Sequence, residues 1–201
     1  MTALINLLAL TAVAYLLGSI PFGVWIGWVL LRRDVRADGS GHSGATNTLR
    51  QAGWGAGVLV LALDLGKGFL AEWLALRFGT HALTPYGAAA AVVVGHCWPV
   101  FAGFRGGMGM ATAGGVLLAA YPLGFALGLG LAALGSLVLR HSARGNVTAG
   151  LLVGPAIWLL TRSTNAALIG LTVGAVVAVR ALRDWKRVYR EVWLDRGKKE
   201  T

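Results

Sequence analysis

Apolar residues gather in long blocks, at about 3–31, 54–78, 83–103, 110–139, 146–160 and 165–181, with short polar stretches between them. Most of these blocks approach or exceed the ~20 residues a helix needs to cross the hydrocarbon of a bilayer. The block at 110–139 is too long for one crossing and is interrupted at Tyr121-Pro122-Leu123-Gly124. Proline removes a backbone donor and disrupts a helix interior. The block is therefore either one long kinked helix or a tight hairpin of two short ones.

Charge separates these alternatives. Take the hairpin, with the N-terminus outside. The outer segments then hold only Arg77 and Arg162, and Lys67 lies within a span. Every other lysine and arginine falls inside: Arg32, Arg33, Arg36 and Arg50, then Arg105, then Arg140 and Arg144, then those from Arg180 onward. A single unbroken helix would scatter the basic loops over both faces. Positive-inside bias thus predicts an all-α, polytopic bundle of about seven spans, N-terminus outside and C-terminus cytoplasmic. The 110–120 half is short for a full crossing and reads as a partial or tilted helix. In this scheme residues 1–182 form one transmembrane domain with cytoplasmic loops at 32–53, 104–110 and 140–146. Residues 183–201 form a basic tail interleaved with Trp185, Tyr189 and Trp193. That tail reads as an amphipathic helix on an anionic leaflet or as a solvated segment.

Composition strengthens the membrane reading. Of 201 residues 56% are hydrophobic and 13% charged, and the mean hydropathy is +0.68. A soluble protein of this size has no means of covering so much apolar side chain, so lipid is the outer solvent. The 30 glycines are scattered through the apolar blocks, which suits close helix packing in membranes. A net charge of +10 is accounted for by the inner loops and tail, not by a nucleic-acid surface. The single cysteine, Cys97, excludes an internal disulfide and a multi-cysteine metal site, and reads as a small packing residue. The first block lacks a basic flank and a clean cleavage site, so it reads as a retained span.

Two glycine-rich loops then change the picture. Residues 39–50 read Gly-Ser-Gly-His-Ser-Gly-Ala-Thr-Asn-Thr-Leu-Arg. Gly39, Gly41 and Gly44 permit the backbone turns of an anion nest. Ser40, Thr46 and Asn47 add donors, and Arg50 adds a fork-shaped cation suited to phosphate. The run matches a dinucleotide fingerprint formally, but no strand precedes it and no βαβ unit surrounds it. The second loop is Phe104-Arg105-Gly106-Gly107-Met108-Gly109, which opens an apolar block and so places amides at a helix N-terminus. Thr112 follows one turn in, and His96 lies near the inner end of the preceding span. Ser142, in the short polar turn 140–146, is a further ligand candidate. Asp64 and Lys67 are three apart on one helix face inside a span, and are either a bundle-stabilising ion pair or functional charges. On the predicted topology the three loops converge at the inner interface.

Together these residues resemble the acyl-phosphate:glycerol-3-phosphate acyltransferase family, the PlsY type, along nearly the whole chain. The resemblance is carried by Gly18-Ser19-Ile20-Pro21-Phe22-Gly23, by residues 39–50, by Asp64 to Gly68 as a D-x-x-K-G element, by 95–112, and by Ser142. It implies an integral membrane enzyme of the bacterial cell membrane with its site facing the cytoplasm. The implied reaction moves a fatty acyl group from acyl phosphate to the 1-hydroxyl of glycerol 3-phosphate in phospholipid biosynthesis. The products are lysophosphatidic acid and inorganic phosphate, and neither metal nor nucleotide is required. Mapped by position, the expected catalytic residues are Ser142, Arg50 and Asn47. The expected substrate-binding residues are Ser40, Gly41, His42, Gly44, Thr46, His96, Arg105, Gly106, Gly107, Gly109 and Thr112, with Asp64 and Lys67 as intramembrane charges. The acyl chain is expected between spans. No Ser-His-Asp set is visible, so the donor's own phosphate is the expected base. No histidine has Asp five residues on, which argues against an H-x-x-x-x-D acyltransferase.

Three positions depart from the family pattern. His42 stands where the first loop has Asn, and Met108 where the second has Lys. Arg180-Ala181-Leu182-Arg183-Asp184-Trp185 stands where the family shows R-H-x-x-N-I. These departures keep open a repurposed paralogue that binds a lipid or acyl phosphate without transferring it. A small transporter is a weaker alternative, since no inverted repeat is evident.

Overall fold

The computed structural model describes residues 1–187, and among these the chain is all-helical. The elements are α1 (Thr2–Gly18), α2 (Phe22–Leu31), α3 (Ala45–Ala52), α4 (Trp54–Phe78), α5 (Thr84–Cys97), α6 (Met110–Ala120), α7 (Pro122–Leu139), α8 (Ser142–Thr161) and α9 (Thr164–Leu182). Single 3-10 turns occur at Val35–Ala37 and Val100–Ala102. The tail expected beyond residue 187, with Tyr189 and Trp193, lies outside the described residues.

The outer surface carries Leu4, Leu8, Leu59, Leu134, Leu159 and Leu171, all exposed, while the interior is built from valine, alanine and glycine. The hydrophobic sorting of a soluble protein is therefore inverted, as lipid solvation requires. Thr2–Leu31, Thr84–Ala102, Pro122–Leu139 and Thr164–Leu182 are long and apolar enough to cross a membrane. Small residues set the helix contacts. A side chain on Gly68 would strike the Thr112 carbonyl, and one on Gly115 the Leu65 carbonyl, so α4 and α6 meet backbone to backbone. Gly150 and Gly174 do the same for α8 and α9.

One sequence expectation is met and three change. The 110–139 block is a hairpin, broken between Ala120 and Pro122, with Pro122 at the N-terminus of α7, where its missing N–H costs nothing. The first block is not one continuous span, because α1 and α2 are separated at Ser19-Ile20-Pro21. Proline restrains the residue before it away from helix, and Lys67 Nζ donates to the freed Ile20 carbonyl at 2.9 Å. The 32–53 segment is not all loop, since Ala45–Ala52 forms α3. The 140–146 turn is mostly helix: α8 starts at Ser142, and the His141 ring accepts from the Arg144 backbone N–H at its N-terminus.

Candidate active site

Asn47 organises the first loop from within. It is 2% exposed. Its amide nitrogen donates to Val35 O at 2.7 Å and His42 O at 2.9 Å, and its Oδ1 accepts from the Ser40 N–H at 3.0 Å. Those bonds hold residues 35–42 as one folded unit. Both ends of the Asn47 amide are spent on backbone, so the side chain holds the shape of the loop. Asp34 caps the turn at Val35–Ala37 and pairs with Arg36 at 2.7 Å. The Arg36 hydrogen bonds hold the Asp34 carboxyl below its ordinary value of 3.8. Arg36 also donates to Ala102 O and Arg105 O, at 2.7 and 2.6 Å, which ties the first loop to the second.

The second loop folds back on the end of α5. Gly106 N–H donates to Cys97 O and Gly107 N–H to His96 O, both at 3.2 Å. A side chain on Gly107 would collide with His96 Nε2, so glycine is required for the imidazole to sit there. Gly109, at φ 85°, turns the chain into α6. Within the membrane, Asp64 Oδ1 is 2.8 Å from Lys67 Nζ and 3.4 Å from His96 Nδ1. Lys67 is thus spent on Asp64, the Ile20 carbonyl and the Phe22 ring.

These loops enclose two cavities. One, of about 410 Å³, brings together Ser40, His42, Gly44, Thr46, Asn47, Arg50, Asp64, His96, Gly109 and Ser142, with Met108 and Asn146. The N-termini of α3, α6 and α8 all open onto it, through Ala45, Met110 and Ser142. Each helix presents unpaired N–H groups and the positive end of its dipole, so the three together favour an anion. Leu61, Met110, Ala111 and Leu129 lead on into an apolar slot of about 250 Å³ among α4, α6, α7, α8 and α9, which ends at Leu117, Phe125 and Val173. From Met110 to Leu117 the slot runs roughly 10 Å along α6.

The other cavity, of about 590 Å³, is lined by Arg36, Arg105, Arg180, Arg183 and Arg187 together with Gly41, Gly106, Asp38 and Asp184. Sequence reasoning anticipated Gly41, Arg105 and Gly106 here but missed the C-terminal arginines. Their charge reads in sequence as a marker of topology, with Arg180 and Arg183 in a stretch that departs from the family pattern, and only the fold shows that they turn back over the loops. His42 lines both cavities. Its Nε2 lies 2.5 Å from Asp184 Oδ2. Thr112 does not reach either cavity. It is fully buried, its hydroxyl has no hydrogen-bond partner, and its backbone packs on Gly68. Thr112 thus stands at the contact between α4 and α6. Among the described residues no cluster of His, Cys, Asp and Glu has the make-up of a metal site.

The family model described as glycerol-3-phosphate acyltransferase matches residues 8–191. A glycerol-3-phosphate acyltransferase of Symbiobacterium thermophilum is 38% identical over 184 residues, covering 91% of each chain. One from Enterococcus faecalis is 48% identical over 120 residues, which span 60% of this chain and 55% of that relative's length. Two crystal structures of PlsY (YgiH), an integral membrane glycerol 3-phosphate acyltransferase, superpose well. The glycerol 3-phosphate form gives a TM-score of 0.78 at 36% identity, covering 90% of both chains. The lysophosphatidic acid form gives 0.75 at 34% identity, covering 92% of this chain and 90% of that one.

Proposed function

The chain belongs to the glycerol-3-phosphate acyltransferase family, and on that premise we propose that it transfers a fatty acyl group from acyl phosphate to the 1-hydroxyl of glycerol 3-phosphate. The observation that carries the reading is the meeting of three helix N-termini at a polar cavity that continues into an apolar slot. An acyl phosphate has that shape and polarity: a dianionic head joined to a hydrocarbon tail. Its phosphate occupies the cavity, held by the helix ends, Ser40, Thr46, Arg50 and Ser142, and its chain lies in the slot. Glycerol 3-phosphate occupies the arginine-lined cavity, where Arg105, Arg180 and Arg183 face its phosphate. The two substrates are both anions and repel each other. The site's first task is to hold them side by side, which oriented donors and fixed cations do without reorganising.

The donor is a mixed anhydride and is already activated. The acceptor oxygen attacks the acyl carbon, the carbon–oxygen bond to phosphate breaks, and the hydroxyl proton passes to the departing phosphate. The products are lysophosphatidic acid and inorganic phosphate. No cofactor enters this scheme. The loops face the cytoplasm, where glycerol 3-phosphate is dissolved, and the N-terminus lies on the opposite side.

Phosphate release by the purified protein in lipid, given palmitoyl phosphate with and without glycerol 3-phosphate, tests the reading. Release that needs the acceptor and yields lysophosphatidic acid supports it. A folded protein with no acceptor-dependent release overturns it in favour of a non-catalytic lipid-binding relative. One observation speaks for that second reading: Met108 packs beside Val147, Ala178 and Ala181 instead of supplying a cation.

A further inference from the structure

Two of the departures from the family pattern meet in space. His42 replaces Asn in the first loop and Asp184 replaces Asn at the end of α9. They are 142 residues apart in sequence, yet bonded, and their side chains are only 9% and 7% exposed. An ionised carboxylate only accepts hydrogen bonds, so the His42 Nε2 carries the hydrogen and donates it to Asp184. That leaves Nδ1 as an acceptor, and Arg180 Nη2 donates to it at 3.0 Å. The Arg180 Nε–H is directed to Gly107 O at 3.1 Å. The guanidinium is planar and rigid, so bonds from two of its nitrogens to two different loops fix its orientation. Asp184, His42 and Arg180 therefore form a hydrogen-bonded row that joins the first loop, the second loop and the end of α9. This row stands in the wall between the two cavities, because His42 lines both and Arg180 and Asp184 line the arginine-rich one.

We propose that His42 and Asp184 are a positioning pair that holds the Arg180 guanidinium in this wall, with its remaining N–H groups directed to the phosphate of glycerol 3-phosphate. The inference rests on the acyltransferase reading above and adds to it. It gives the two departures a joint role: neither residue touches substrate chemistry, and each is needed because the other is present. Arg180 then supplies a cation close to Gly107, next to the position where Met108 supplies none.

The test is a double-mutant cycle on acceptor-dependent phosphate release in lipid, with His42→Ala, Arg180→Ala and the combination. Each single variant is expected to raise KM for glycerol 3-phosphate by roughly tenfold or more, while kcat and the KM for palmitoyl phosphate change by less than about threefold. The combination is expected to match Arg180→Ala alone, since without the guanidinium the pair has nothing left to hold. Asp184→Ala removes the acceptor for His42 Nε2–H and is expected to raise KM for glycerol 3-phosphate as His42→Ala does. Where His42→Ala does not fold, His42→Phe, a ring with neither nitrogen, takes its place with the same expectations. Multiplying effects in the combination, or a fall in kcat at unchanged KM, overturn the positioning pair while leaving the acyltransferase reading intact. An inactive parent protein overturns both.

Discussion

Met108 shows how one side chain alters the charge of a site. It packs on Val147, Ala178 and Ala181, yet it also lines the cavity assigned to the donor phosphate. Met108→Lys is expected to place an ammonium in that cavity and to lower KM for palmitoyl phosphate, in steady-state assays at constant ionic strength. Arg50 lies in the last turn of α3 and faces the same cavity. Arg50→Ala should reduce kcat/KM by at least about a hundredfold, because charge-assisted bonds to phosphate are the strong ones and among the described residues no other arginine lines that cavity. Unchanged turnover in Arg50→Ala would show that the donor phosphate sits elsewhere. Gly107→Ala tests packing instead of charge. Its methyl group meets His96 Nε2 and its carbonyl serves Arg180, so activity should fall sharply while the far end of the bundle keeps its thermal stability. At Asp34 the linkage has a definite sign. Its lowered carboxyl pKa means that its tie to Arg36 is present at neutral pH. The stability it contributes is lost only as pH falls from the unfolded value through the lowered folded one.

Helices respond to what their ends and faces require. Lys67 joins α4 to the break between α1 and α2, because the Ile20 carbonyl has no helical partner and accepts from its ammonium. Lys67→Met would leave Asp64 buried with, among the described residues, His96 as its remaining ion-pair partner. The expected cost is about 3 kcal/mol, measured by thermal unfolding in detergent, with loss of the α1–α2 angle as the structural consequence. The hairpin of α6 and α7 was legible from Pro122 and from the distribution of arginines. So was the meeting of the three polar loops, since the topology leaves them on one side. The α1–α2 break was not read, although Pro21 carries the signal, because the apolar run through it is uninterrupted. Helix α3 was hidden for the opposite reason: its residues are polar and were read only as ligands. The pairing of His42 with Asp184 had no local signal at all. Spacing along a chain does not report contacts made across 142 residues, and the arginines from Arg180 to Arg187 served equally well as topology markers.

For the molecule as a whole, the seven-span arrangement with an outer N-terminus remains a prediction that labelling can check. Single cysteines at Thr80 and at Ala37, in a Cys97→Ala background, should react with an impermeant thiol reagent from the outer and inner faces respectively. The reverse pattern would invert the site relative to its substrates. The helix α6, 11 residues long, covers only roughly 16 Å of a hydrocarbon layer of about 30 Å, which makes it the short member of that arrangement. The slot beside it ends at Phe125, whose ring lies 3.1 Å from where a side chain on Gly114 would begin. Gly114→Leu should therefore shift preference toward shorter donors, and Phe125→Ala toward longer ones, as read by turnover across an acyl phosphate series. A slot of fixed depth does more than select a substrate. The chain chosen there is carried into every lipid built on that product, and chain length governs the thickness and melting of a bilayer. The reach between Met110 and Phe125 would thus set a material property of the sheet in which the protein itself is dissolved.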